Sequence, residues 1–249
     1  GLASQGKIPF AASFAVFATG RTYDQIRNAI CYPKFNVKII GTHGGITVGE
    51  DGATHQALED VALMRNLPNM TVIVPADSKE CEEAVKFAAE HDGPVYIRVA
   101  RSSVPDVFDN TYKFNPLHAV ITKEGKDISI FTNGETLAEC LLAADELEKE
   151  GISAEVINIP VVKPLDTKTV IESVSKTALA VTVENHSIIG GLGSAICEAC
   201  CENVPTKIKR IGINDEFGQS GTADELMKYY KLDSESLAER IKSFYKENK

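Results

Sequence analysis

No apolar run of this chain approaches the ~20 residues a bilayer-spanning helix needs, and no secretory leader pattern is visible. Basic residues form no block or stripe: 26 Lys+Arg stand against 35 Asp+Glu, a formal charge of −9. A membrane and a nucleic acid are therefore not expected as partners. Net charge governs solubility and steering, so a phosphate pocket built from a few placed arginines stays open. Internal repeats and low-complexity tracts are missing too. Six cysteines are present, but no second cysteine or histidine pair lies at a metal-ligand spacing, so no metal is expected on this chain. Cys197-x-x-Cys200-Cys201 falls in a helix-like stretch, where small apolar side chains serve packing; a reducing cytoplasm is the expected setting. Gly190-Gly191-Leu192-Gly193 lacks the full dinucleotide-binding spacing and reads as an N-cap turn or a close subunit contact. The chain opens on Gly1-Leu2-Ala3-Ser4-Gln5-Gly6 without a methionine, like the last turn of a helix with its glycine cap, and is expected to be a fragment.

What is present is concentrated in Thr42-His43-Gly44-Gly45-Ile46-Thr47-Val48-Gly49-Glu50-Asp51-Gly52-Ala53-Thr54-His55-Gln56. Two histidines, two carboxylates and four glycines sit between a β-type run, Val37–Ile40, and a helix-like run, Leu58–Leu67. Ionisable side chains on a glycine segment at a strand-to-helix junction are where α/β proteins place chemistry.

At 249 residues one or two domains are expected. Residues 8–101 alternate strand-like segments (Ile8–Ser13, Val37–Gly41, Thr71–Val74, Val95–Val99) with helix-like ones (Thr19–Cys31, Thr54–Leu67, and a helix to Glu90 opened by the capping-box pattern Asp77-x-x-Glu80). Residues 102–126, with Pro105, Pro116 and Gly125, read as a linker. A second alternation follows, with strands at Ile128–Thr132, Ala154–Ile159, Ala178–Val183 and Lys207–Ile211. Its helices fall at Glu135–Glu150, Thr167–Ser175, Gly191–Glu202, Ala223–Tyr230 and Ser234–Glu247. The expectation is α/β: two tandem domains, 1–110 and 125–249, each a mostly parallel sheet flanked by helices.

Parallel sheets bind ligands beyond the carboxyl ends of their strands. Phe14, His43 and Arg101 each follow such an end, and Asp51 and His55 leave the same rim. Each also has an ordinary reading: Phe14 and Phe17 as core, Arg101 as an ion-pair partner, Glu50 as a solvated charge. His43, Asp51 and His55 could ligate a metal, but their spacing matches no compact ligand motif.

Gly49-Glu-Asp-Gly-Ala-Thr-His-Gln56, Leu67-Pro-Asn69 and Val74-Pro-Ala-Asp77 resemble the pyrimidine-binding half of a transketolase, nearest in kind to the C-terminal subunit of the split, two-chain form. Pro160–Asp166, Glu184-Asn185-His186 and the Gly-Gly-Leu-Gly run are similar to that family's C-terminal domain. Deoxyxylulose-phosphate synthase and the β subunit of 2-oxo acid dehydrogenases share parts of the pattern. Arg21-Thr-Tyr-Asp-Gln25 and Arg98-Val-Ala-Arg101 lean toward the synthase, and Glu50-Asp51 leans back. The resemblance implies transfer of a two-carbon ketol unit from a ketose phosphate to an aldose phosphate. It implies Phe14 and Phe17 as holders of the aminopyrimidine ring of thiamine diphosphate, and His43 and Arg101 as phosphate ligands. Asp51 would accept a hydrogen bond from a sugar hydroxyl, and His55 would line the reaction centre as the catalytic histidine. Mg2+ or Ca2+ and the diphosphate end would belong to a partner N-terminal subunit, with homodimer contacts to a second copy. The family's ring-activating glutamate falls upstream of Gly1, and Gly20 replaces its third aromatic. The chain alone is expected to be inactive. A non-catalytic dimerisation or assembly module is the alternative from another class.

Overall fold

A computed structural model describes residues Gly1–Lys249. The first sheet holds β1 (Phe10–Phe14), β2 (Lys38–Thr42), β3 (Thr71–Ile73) and β4 (Val95–Arg98), all parallel, in spatial order β1-β2-β4-β3. The second holds β5 (Val120–Lys123), β6 (Ile128–Thr132), β7 (Ala154–Asn158), β9 (Leu179–Ser187) and β10 (Lys207–Ile213), in order β10-β9-β6-β7-β5, parallel except for the β5 edge. Every residue of β3, β4, β6 and β7 is buried, as expected for strands covered on both faces. The helices are α1 (Tyr23–Ile26), α2 (Asp60–Asn66), α3 (Ser78–Glu90), α4 (Thr136–Lys149), α5 (Thr167–Thr177), α6 (Leu192–Asn203), α7 (Ala223–Tyr229) and α8 (Ser234–Asn248). The α/β class and the two mostly parallel sheets are as the sequence predicts. None of these helices is long and apolar enough to cross a membrane.

One strand leaves its half of the sequence. β8 (Val161–Lys163) pairs antiparallel with β3 and closes the edge of the first sheet. The alternation pattern misses it, because three β-branched-rich residues between Pro160 and Pro164 are too short a run; the prolines fit an edge strand. β5 lies inside the span expected to be linker. The halves also share packing: Ile46, Leu58 and Ala76 belong to the core built around β6, β9 and α4.

Two helices differ from expectation. The helix expected over Thr19–Cys31 is α1 flanked by wide-turned segments Phe17–Arg21 and Arg27–Cys31. Thr19 and Thr22 donate to the carbonyls of Ala15 and Ala18, four residues back, a pattern that bends helices. The helix expected from Thr54 starts only at Asp60, because the preceding backbone is bound elsewhere. Gly45 N–H donates to Ala57 O at 2.9 Å, and Gln56 Nε2 donates to Ile46 O and Gln219 O at 3.1 and 2.9 Å. The capping box at α3 is half made: Asp77 accepts from Glu80 N–H at 2.8 Å, whereas the Glu80 carboxylate turns to Ala76 N–H, Tyr112 and Asn158.

Candidate functional site

Parallel pairing places the carboxyl ends of β1, β2 and β4 on one rim, with Phe14 opposite Thr42 and Gly41 opposite Arg98. His43 follows at once, in a left-handed backbone conformation with φ 59°. Histidine tolerates that region better than most residues, and the strain still costs about 1–3 kcal/mol. Its ring stacks on Phe14 with centroids 3.8 Å apart, and Nδ1 lies 3.0 Å from Thr42 Oγ1. Burial lowers the His43 pKa, Arg101 lowers it further, and Asp51 partly opposes them.

Phe17 lies 6.0 Å from Phe14 with the rings 17° from parallel, and the Arg21 guanidinium sits 4.6 Å over its face. His55 meets both phenyl rings edge-on, at 5.3 Å from Phe17 and 6.1 Å from Phe14. Its Nδ1 is 2.9 Å from Thr54 Oγ1. Asp51 and Arg101 pair at 3.5 Å, with Glu50 at 3.7 Å, and Arg101 also donates to Val48 O. All six residues singled out from the sequence, Phe14, Phe17, His43, Asp51, His55 and Arg101, thus stand at this rim. Arg101 meets both carboxylates and Val48 O through Nη1, which leaves its Nε and Nη2 for an incoming anion.

Phe14 and Phe17 are half-buried, near-parallel and open to the outside, so the residues fit a flat heteroaromatic ring laid on an apolar shelf. No three His, Cys, Asp or Glu side chains converge as a cation site. The Gly190–Gly193 turn is an N-cap: Glu184 accepts from Leu192 N–H and Gly193 N–H at 2.7 and 2.8 Å, and its own carboxylate takes the anion-binding end of α6.

Sequence reasoning missed the supports of the loop. Asn185 and Glu135 bind its start, and Ser220 abuts its end: a Cβ on Gly45 would lie 2.3 Å from Asn185 Nδ2, and one on Gly52 2.5 Å from Ser220 Oγ. Glycine at those two positions was the available signal, but only folding reveals what approaches them.

These features define an α/β chain that presents aromatic faces and imidazoles at the carboxyl ends of a parallel sheet. Residues 1–107 match the family described as transketolase, pyrimidine binding domain, and residues 117–237 match transketolase, C-terminal domain. A Methanocaldococcus jannaschii protein with the provisional name transketolase C-terminal section is 48% identical, over 97% of this chain and 76% of its own length. The 6-deoxy-6-sulfo-D-fructose transketolase subunit of a Clostridium species is 44% identical, over 95% of this chain and 74% of its own. The solved structure of a split-gene transketolase, an inactive β4 tetramer, superposes with a TM-score of 0.91 at 48% identity, over 97% of this chain and 78% of that one. The chain belongs to the transketolase family and carries its pyrimidine-binding and C-terminal domains.

Proposed function

We propose that this chain is the C-terminal section of a thiamine-diphosphate-dependent transketolase, moving a two-carbon ketol unit from a ketose phosphate to an aldose phosphate. It would work with a partner subunit that holds the diphosphate end and its Mg2+ or Ca2+, in an assembly containing a second copy of the pair. The observation that carries this reading is the meeting of Phe14, Phe17, His43 and His55 with the Asp51–Arg101 pair on one rim.

Thiamine diphosphate, when bound, supplies the nucleophilic carbon for breaking and making the C–C bond. The chain's residues do the rest. Phe14 and Phe17 give the aminopyrimidine ring an apolar seat. Asp51 accepts a hydrogen bond from a sugar hydroxyl. Arg101 offers the substrate phosphate the guanidinium nitrogens its carboxylate contacts leave free, and His43, whose pKa burial lowers, adds a ring N–H donor beside it. His55 moves a proton at a substrate hydroxyl oxygen, with Thr54 fixing the ring through Nδ1.

The test is the chain expressed from its whole reading frame and assembled with a diphosphate-binding partner subunit, thiamine diphosphate and Mg2+. Turnover of xylulose phosphate with ribose phosphate is expected. Product only from pyruvate with glyceraldehyde phosphate would overturn the reading in favour of a synthase. A sulfonated ketose as sole donor would keep the transfer and change the anion.

A further inference from the structure

The loop that carries the candidate chemistry belongs to the N-terminal half, yet much of what holds it comes from the other half. Asn185 Oδ1 accepts from Ile46 N–H at 3.0 Å, and Asn185 Nδ2 donates to Glu135 Oε1 at 2.5 Å. The same Glu135 oxygen accepts from Thr47 Oγ1 at 2.9 Å. Arg98, at the end of β4, donates to Asn185 O at 2.7 Å and pairs with the fully buried Asp60 at 3.1 Å. Asn185 is 2% exposed. Asn185 lies in the rim-side part of β9, and Glu135 just precedes α4; both face Ile46 and Thr47, three and four residues after His43. Gly45 is the only residue type that clears Asn185 there, since a Cβ would stand 2.3 Å from Nδ2.

We propose that Asn185 and Glu135 are positioning residues that fix the first turn of the Gly44–Gly52 loop, and through it the placement of His43, next to its start, and Asp51, near its end, against the substrate. The part concerning substrate rests on the function proposed above; the part concerning the loop does not. Each bond has a directed role. The Asn185 carbonyl oxygen satisfies the otherwise orphaned Ile46 N–H at a buried chain reversal, where an unpaired donor is costly. The Asn185 amide can present that oxygen in one orientation only, because its nitrogen is anchored on Glu135. Thr47 adds the second tether to the same carboxylate oxygen. A loop rich in glycine has little stiffness of its own, so its geometry depends on such tethers. Gln56 and Arg101 hold the carbonyls of Ile46 and Val48 from the N-terminal half, and Asn185 and Glu135 hold the N–H of Ile46 and the hydroxyl of Thr47 from the other. The C-terminal half thereby acts on the chemistry without touching the reacting atoms.

Two single variants and a polarity-reversed pair test this. N185A removes both bonds, and E135A removes the shared anchor. N185D combined with E135Q restores them in the opposite sense: the new amide donates to the new carboxylate and to Thr47 Oγ1, and the carboxylate still accepts from Ile46 N–H. Hydrogen–deuterium exchange on the chain itself should rise roughly tenfold over residues 44–56 in each single variant, with the strands of both sheets unchanged, and return in the pair. In the assembled enzyme, kcat/KM for the sugar phosphate should fall by about a hundredfold in the single variants. Most of that loss should appear in KM, because His43 and Asp51 ride on the loop, and the reversed pair should recover it. A merely structural role would loosen both sheets together and would not split KM from kcat. Unchanged exchange over 44–56 in N185A, or a reversed pair no better than N185D alone, overturns the proposal. Should N185A fail to fold, the reversed pair against N185D decides it. An assembly that turns over no sugar phosphate would sink the proposed function while the exchange result still judges the positioning.

Discussion

Phe14 and His43 lie face to face, ring centroids 3.8 Å apart and planes 12° from parallel. The stack occupies one face of Phe14 and holds the imidazole beside Arg101 and Asp51. It therefore joins two tasks on one rim: the phenyl ring's free side and Phe17 offer an apolar seat, while His43 faces the polar side with its ring orientation fixed.

His55→Ala in the assembled enzyme is expected to lower kcat by about a hundredfold or more, the usual cost of losing a positioned proton carrier. KM should change little, because His55 contacts the phenyl shelf and Thr54 rather than the Asp51–Arg101 pair. Steady-state kinetics checks this, and turnover equal to wild type would favour a non-catalytic assembly role.

Arg101→Ala should raise KM for phosphorylated sugars roughly tenfold or more, the value of a charge-assisted contact. An unphosphorylated ketose compared on the same variant should lose almost nothing. Equal losses on both donors would make Arg101 an ion-pair partner of Glu50 and Asp51 and nothing more.

His43 links stability to acidity. Its folded pKa lies below the ordinary 6.5, so as pH falls the unfolded chain takes the proton first. The His43 contribution is then flat above about 6.5 and is lost as pH drops through the window beneath it. His91, also depressed by burial and by Lys38, contributes with the same sign. Urea midpoints across that window should show a shallower slope in His43→Gln than in wild type. An unaltered slope would show that His43 contributes nothing to it.

The buried Tyr96–Asp60–Arg98 group sets a larger energy. Tyr96 donates to Asp60 Oδ2 at 2.5 Å, and Arg98 Nε lies 3.1 Å from the same oxygen. Tyr96→Phe should cost about 1–3 kcal/mol, since Asp60 keeps its arginine. Asp60→Ala should cost about 3–5 kcal/mol, because it strands a guanidinium that is 5% exposed. Urea denaturation ranks the two, and the reverse order would refute the assignment.

The rim was legible because it rests on a strong local signal: β-type runs, each followed by an ionisable or aromatic residue, in an alternation that demands parallel pairing. His43, Phe14 and Arg101 could be placed together from that alone. Asn185 and Glu135 could not, since nothing within Glu184-Asn185-His186 says that its middle amide meets Ile46, 139 residues away. The same limit hid β8, whose partner β3 lies across the linker. The overlong reading of α2 has another cause: Gln56 and Ala57 favour a helix locally, but tertiary hydrogen bonds from Gly45 and to Gln219 hold their backbone in a loop.

The lent strand Val161–Lys163 has a consequence for anyone who would cut or recombine this polypeptide. Separating the halves at residues 102–126 leaves Thr71–Ile73, now buried throughout, as a bare hydrophobic margin inviting edge-to-edge aggregation. A chimaera that imports a foreign second half must also import a tripeptide able to zip beside Thr71–Ile73.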